Sequence, residues 1–146
     1  MKKVLVTGSS GFIGSHVVDV LEEQGFNVLL FDNKPSIYKT KKQKEFIGNI
    51  LSFDDVLEAS EGCDAIYHLA AQADIGVSSD TPTETIQSNI IGTQNLLEAC
   101  RKNDVKRFMF ASTIYVYSEL GSFYRVSKQT CEKIIEEYKN EFDLDY

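Results

Sequence analysis

Short apolar runs rich in β-branched residues alternate along this chain with longer stretches whose apolar positions recur every three to four residues. Lys3 to Thr7 is the first such run and predicts a strand. Phe12 to Gln24 has helical spacing and stops at Gly25, a residue type suited to ending a helix. Asn27 to Phe31 predicts a second strand and Glu45 to Ile47 a weaker third. Ser52 to Ser60 predicts a short helix that Ser52 can cap, with Asp54 and Asp55 in the first turn where the helix dipole favours acids. Ala65 to Leu69 predicts a fourth strand, Thr83 to Lys102 a long helix, Lys106 to Ala111 a fifth strand and Ser122 to Asn140 a final helix. Pro35 and Pro82 both fall between elements. The last residues, Phe142 to Tyr146, read as the approach to a sixth strand.

Strands alternating with helices in this order predict an α/β protein: a doubly wound parallel sheet of the Rossmann type with right-handed crossovers. Its 146 residues, 42% hydrophobic and 25% charged, fit one domain spanning residues 1–146. A formal charge of -7 repels phosphate backbones and anionic lipid, so neither nucleic acid nor a membrane surface is expected as a partner. The lysine-rich stretch Lys39, Lys41, Lys42 and Lys44 reads first as a solvated loop and second as a phosphate-facing patch. Cys63, Cys100 and Cys131 form an odd, widely spaced set with no CxxC pair, which suggests neither a disulfide framework nor a zinc or other metal site. The run Val4-Leu5-Val6 is too short for a signal sequence or a span, so a cytoplasmic setting is expected.

The segment Thr7-Gly8-Ser9-Ser10-Gly11-Phe12-Ile13-Gly14 leaves the first strand and opens the first helix. Glycines there let the backbone turn at Gly8, approach a pyrophosphate at Gly11 and pack helix on strand at Gly14, while free N–H groups and the positive dipole end receive phosphate. The expected cofactor set in this loop is Gly8, Ser10, Gly11, Phe12, Ile13 and Gly14. Asp32, about twenty residues downstream at the end of the second strand, can accept hydrogen bonds from ribose hydroxyls and repels a 2′-phosphate, with Asn33 beside it. That pattern predicts NAD over NADP.

Tyr124 and Lys128 stand four apart on a predicted helix, so both side chains share one face. Tyr38 and Lys42 have the same spacing, but they lie in the polar loop on the ribose side of the fold, whereas Tyr124 opens the helix after the fifth strand. A phenol is a poor base at neutral pH, and a neighbouring ammonium favours its ionised form, which is the chemistry of hydroxyl oxidation beside a nicotinamide.

Thr-Gly-x-x-Gly-x-x-Gly, Gly48-Asn49-Ile50, His68-Leu69-Ala70-Ala71-Gln72, Asn89 with Gly92-Thr93, and Ser122-Phe123-Tyr124-Arg125-Val126-Ser127-Lys128 together resemble the extended short-chain dehydrogenase/reductase family of NAD-dependent nucleotide-sugar enzymes. The resemblance implies cofactor contacts at Asn49, which stands where the family has aspartate, and at Ile50, Leu69, Ala70, Ala71 and Lys128. It implies that His68 packs, and that Asn89 is structural and keeps the central strands in register. Tyr124, Lys128 and Thr113, with Ser112 as the near alternative to Thr113, would form the catalytic set. Substrate contacts would come from Thr113, Tyr124 and Ser78. Arg125 stands where the family often has glycine and receives no role.

The family's dehydratases carry Asp-Glu after that threonine. This chain has Ile114-Tyr115, which resembles the epimerases. The implied activity is a 4-epimerase type interconversion of a nucleotide sugar through a transient keto-sugar, by a homodimer. A nucleotide-sugar reductase or dehydratase is the rival enzyme, and a non-catalytic dinucleotide-binding module the rival from another class. The resemblance also implies that the carboxy-terminal portion that closes over the sugar is absent from these 146 residues, so that this chain alone could be inactive.

Overall fold

The computed structural model describes residues 2–146; Met1, the first residue of the expected domain, lies outside the described residues. Five parallel strands are ordered β3-β2-β1-β4-β5, with β1 at Lys3–Thr7, β2 at Asn27–Asp32, β3 at Lys44–Ile47, β4 at Ala65–His68 and β5 at Arg107–Phe110. Helices α1 (Phe12–Glu23) and α2 (Phe53–Ser60) follow β1 and β3. Ser52 caps α2 by accepting from the Asp55 N–H.

The expected long helix is a composite. α4 (Pro82–Ile86) and α5 (Gly92–Lys102) are joined through one wide π turn, Gln87–Ile91. A further short helix, α3 (Ile75–Asp80), precedes them. It had no counterpart in the pattern and is capped by Asp74, which accepts from the Val77 N–H. The final helix, α6, runs from Ser122 to Phe142.

Alternation along the strands sorts the core into two layers. Leu5, Ile66 and Phe108, all at 0% exposure, point to the face covered by α2, α5 and α6. Val4, Val6, Val28 and Leu30 point to the opposite face and meet Val18 and Leu21 of α1. Burying a side chain of this size contributes roughly 1.5–3 kcal/mol, so these layers fix the register of the sheet before any polar contact is considered. On the α1 side the cover is incomplete, and Met109 of β5 remains 38% exposed.

The approach to a sixth strand takes the form of a single parallel bridge between Arg107 and Asp145, with the Phe108 N–H donating to the Asp145 carbonyl at 2.8 Å. No helix among the described residues is long and apolar enough to cross a membrane.

Candidate active site

β1 lies between β2 and β4, so the connections leaving β1 and β4 diverge and open a crevice at the carboxyl ends of the strands. Gly8 makes the turn there with φ +71, and a Cβ on it would stand 2.6 Å from the Ala70 nitrogen. Gly14 is tighter still, since its Cβ would fall 2.1 Å from the Gly8 carbonyl oxygen. Gly11 differs: its Cβ would meet only the Gly8 oxygen, at 3.2 Å, and it borders open space. That space is a cleft of about 310 Å³, lined among others by Gly8, Gly11, Asp32, Asn33, Asn49, Ile50, Leu69, Ala70 and Ala71. Nine of the expected cofactor residues therefore converge on one cavity.

The remaining loop residues sit around it. The Ser10 N–H donates to Asp32 Oδ2 at 2.9 Å and its hydroxyl to the Lys34 carbonyl at 2.9 Å. The other Asp32 oxygen accepts no bond from the described residues, which leaves it open to a ligand. Phe12 and Ile13 put their side chains outward, at 75% and 64% exposure. They bring only first-turn N–H groups to the site, and α1 has no side-chain cap to occupy those groups. Asn49 spends its side-chain oxygen on the Leu51 N–H, and its own N–H donates to Asp55. Phe31, Lys34, Gly48 and Ser88 also line the cleft. Of these, Ser88 carried no signal in the sequence, because its place depends on the π turn.

Past β5, two hydroxyls follow Ala111, and their bonding separates them. Ser112 donates to Glu132 Oε1 at 2.5 Å. Thr113 accepts from the Tyr115 N–H at 3.3 Å, capping the 3-10 turn Ile114–Tyr117, so its own proton is still available to a ligand.

Lys128 is 3% exposed; its Nζ donates to the Ala111 carbonyl at 2.7 Å and stands 4.4 Å from the Phe110 ring centre and 5.9 Å from that of Tyr124. Burial pushes the ammonium down to about 8, against the pull of Cys131 and Glu132. Tyr124 and Lys128 thus share a face of α6 beside the end of β5.

His68 packs as expected, with Nδ1 2.7 Å from the Thr7 hydroxyl and Nε2 2.9 Å from that of Thr93. Burial holds its imidazole down at about 3, Lys128 adding to the effect.

Two expectations change. Ser78 is fully buried and its hydroxyl donates to the Ile75 carbonyl at 2.8 Å, the first-turn geometry of a short helix, so it presents no oxygen to a sugar here. Asn89 is structural, but it does not act on strand register. It exchanges two hydrogen bonds with the Gln72 backbone, at 2.7 and 3.0 Å, and donates to the Ser127 hydroxyl at 2.9 Å, tying the loop after β4 to α6. Arg125 gains a place: its Nη1 donates to the Ser118 carbonyl at 2.8 Å and pairs loosely with Glu119 at 3.7 Å, holding the short loop before α6.

Comparison with known proteins gives the chain its family. The NAD dependent epimerase/dehydratase family matches residues 4–146, and the chain belongs to that family. The uncharacterized UDP-glucose epimerase YtcB of Bacillus subtilis is 35% identical, over 97% of this chain and 53% of its own length. The UDP-glucose 4-epimerase of Thermotoga maritima, solved with UDP-glucose, superposes with a TM-score of 0.91 at 31% identity, over 97% of this chain and 52% of that one. The UDP-glucose 4-epimerase of Thermus thermophilus, solved with NAD, gives 0.89 at 31% identity and the same coverage. The chain spans about half the length of these relatives.

Proposed function

We propose that this chain is the dinucleotide-binding half of an NAD-dependent nucleotide-sugar epimerase, with Tyr124, Lys128 and Thr113 as its catalytic residues. The observation that carries the reading is the buried Lys128 held against Ala111 with Tyr124 one turn before it, next to a threonine whose proton is free. The residues present fit NAD. Gly11 borders the cleft, α1 is uncapped, and one Asp32 oxygen is unengaged where ribose hydroxyls would donate.

Bound NAD supplies the hydride acceptor and, later, the hydride donor. Tyr124 takes the proton from a sugar hydroxyl as it is oxidised and gives it back on reduction. Lys128 stays next to the phenol as an ammonium and would hold the nicotinamide ribose of bound NAD, while Thr113 donates a hydrogen bond to the reacting oxygen. Ile114 and Tyr115 offer no acid–base pair to expel water, which favours epimerisation over dehydration. UDP-sugars are the first substrates to try, because the relatives' names specify them.

A homodimer and a cytoplasmic setting belong to the same reading. Exposed Ile86, Ile91 and Val126 offer apolar surface to a second copy, and all three cysteines are free thiols.

The test is turnover of UDP-glucose to its 4-epimer by residues 1–146, alone and joined to the carboxy-terminal half of the Bacillus subtilis relative. The expected result is conversion without added cofactor by a polypeptide that carries NAD through purification. Net oxidation of NADH would make the enzyme a reductase. NAD binding with no turnover in either form would leave a binding module only.

A further inference from the structure

The exit of β5 is held by α6 rather than by the sheet. Its last sheet bond is from the Ala111 N–H to the His68 carbonyl at 3.2 Å. Beyond it, Lys128 donates to the Ala111 carbonyl at 2.7 Å, and Glu132, one turn further along α6, accepts from the Ser112 hydroxyl at 2.5 Å. Positions four apart on a helix share a face. Two successive residues of the loop are therefore gripped by two successive turns of one helix, and Thr113 is the next residue.

We propose that Glu132 is a positioning residue of the active site: by accepting from Ser112 while Lys128 donates to Ala111, it completes a two-point clamp that holds Thr113 fixed relative to Tyr124 and Lys128. The inference rests on the catalytic reading of those three residues. A carboxylate accepting from a hydroxyl is a strong, short hydrogen bond, which suits it to fixing a loop that lacks ladder partners.

Glu132 has a second effect through its charge. The groups facing Lys128 are Tyr124, Cys131 and Glu132 on α6, His68 on β4, and the Phe110 ring with the Ala111 carbonyl on β5. Burial holds His68 neutral and pushes the Cys131 thiol up. Among the described residues Glu132 is the carboxylate that, with Cys131, offsets the desolvation of the Lys128 ammonium.

The two effects separate by mutation. Glu132→Gln keeps an oxygen that can accept from Ser112 but removes the charge, whereas Ser112→Ala removes the bond but keeps the charge. In the 146-residue chain, an NMR titration of the Lys128 side chain reads the charge, and backbone relaxation of residues 111–113 reads the clamp. Both are independent of turnover.

Glu132→Gln is expected to lower the Lys128 titration point by about half a pH unit or more, with residues 111–113 as rigid as in the parent. Ser112→Ala is expected to leave that titration unchanged and to mobilise residues 111–113. In a polypeptide that turns over UDP-glucose, Ser112→Ala should also lower kcat about tenfold at unchanged KM, the pattern of a misplaced group that acts only in the transition state.

Rigid residues 111–113 in Ser112→Ala overturn the proposal even where NAD binds and the parent is active, and an unmoved Lys128 titration in Glu132→Gln removes the second, electrostatic effect. If the parent proves inactive in every form, the functional reading fails, while the relaxation and titration data still judge the clamp.

Discussion

His68 gives its one ring proton to Thr93. The Thr93 hydroxyl donates to the Asn89 carbonyl at 2.6 Å, so toward His68, 2.9 Å away, it can only accept. Nε2 therefore carries the hydrogen, and Nδ1 accepts from the Thr7 hydroxyl, which in turn accepts from the Ala70 N–H. A chain of bonds with a single direction runs from the loop after β4, through the end of β1, to the π turn, beneath the nucleotide crevice.

This neutral imidazole has a pH signature. The folded state keeps His68 unprotonated down to about 3, whereas an unfolded histidine protonates near 6.5. The folded value is depressed, so its contribution is fully present above pH 6.5 and is lost as pH falls from there toward 3. Urea unfolding should lose stability by up to about 1.4 kcal/mol per pH unit between pH 6 and pH 5, before carboxylates titrate. In His68→Gln that slope should flatten. An unchanged slope would place the sensitive group elsewhere.

NAD is expected to bind at least about ten times more tightly than NADP, a difference of ~1.4 kcal/mol. Asp32 already holds the Ser10 N–H, and its second oxygen is where a 2′-phosphate would meet it. Calorimetric titration with each dinucleotide decides this, and equal affinities would remove Asp32 from the ribose.

Two of the loop glycines should fail in different ways. Gly11→Val projects into the cleft and is expected to abolish NAD binding while circular dichroism and Tm stay close to the parent's. Gly14→Ala forces a methyl to 2.1 Å from a backbone oxygen. That overpacking should cost about 3 kcal/mol or more and unfold part of the population before any ligand is added. If both variants stayed folded and bound NAD, the loop would be only a turn.

Tyr124→Phe should keep NAD affinity but lose about a hundredfold to ten-thousandfold in turnover, measured in whichever polypeptide interconverts the UDP-sugars. Tyr38→Phe, the control with equal spacing, should leave the rate unchanged, since Tyr38 is an exposed loop residue. Near-parental rates in Tyr124→Phe would refute the assignment.

What the sequence made legible follows from which signals are local. Strands β1, β2 and β4 announce themselves by runs such as Val4-Leu5-Val6, and the Gly8–Gly14 loop by spacing that few other structures need. The short helix α3 escaped because six residues cannot establish a helical period; its one clue was Asp74, a capping residue three positions before Val77. The π turn escaped because it adds one residue to a helical turn without breaking the apolar pattern. Nothing local in Gln87–Ile91 announces that Asn89 must reach Gln72 and Ser127. The same blindness applied to Ser78, whose hydroxyl has a bonding choice, sugar or Ile75 carbonyl, that only α3 decides. Resemblance alone favours Thr113 over Ser112, and the bonding that separates them depends on Glu132, twenty residues away.

The partly covered face of the sheet makes this chain a charged particle with a sticky side. Tyr67 forms part of an apolar groove with Phe12, Ile13, Val17 and Val20 of α1, and Met109 lies on the same side of β5. The net charge of -7 keeps such molecules apart at low ionic strength. Added salt shortens the reach of that repulsion from ~30 Å at 0.01 M to ~8 Å at 0.15 M, and it leaves the attraction between apolar faces untouched. Salt is then expected to favour contact between these apolar faces in concentrated solutions of the 146 residues.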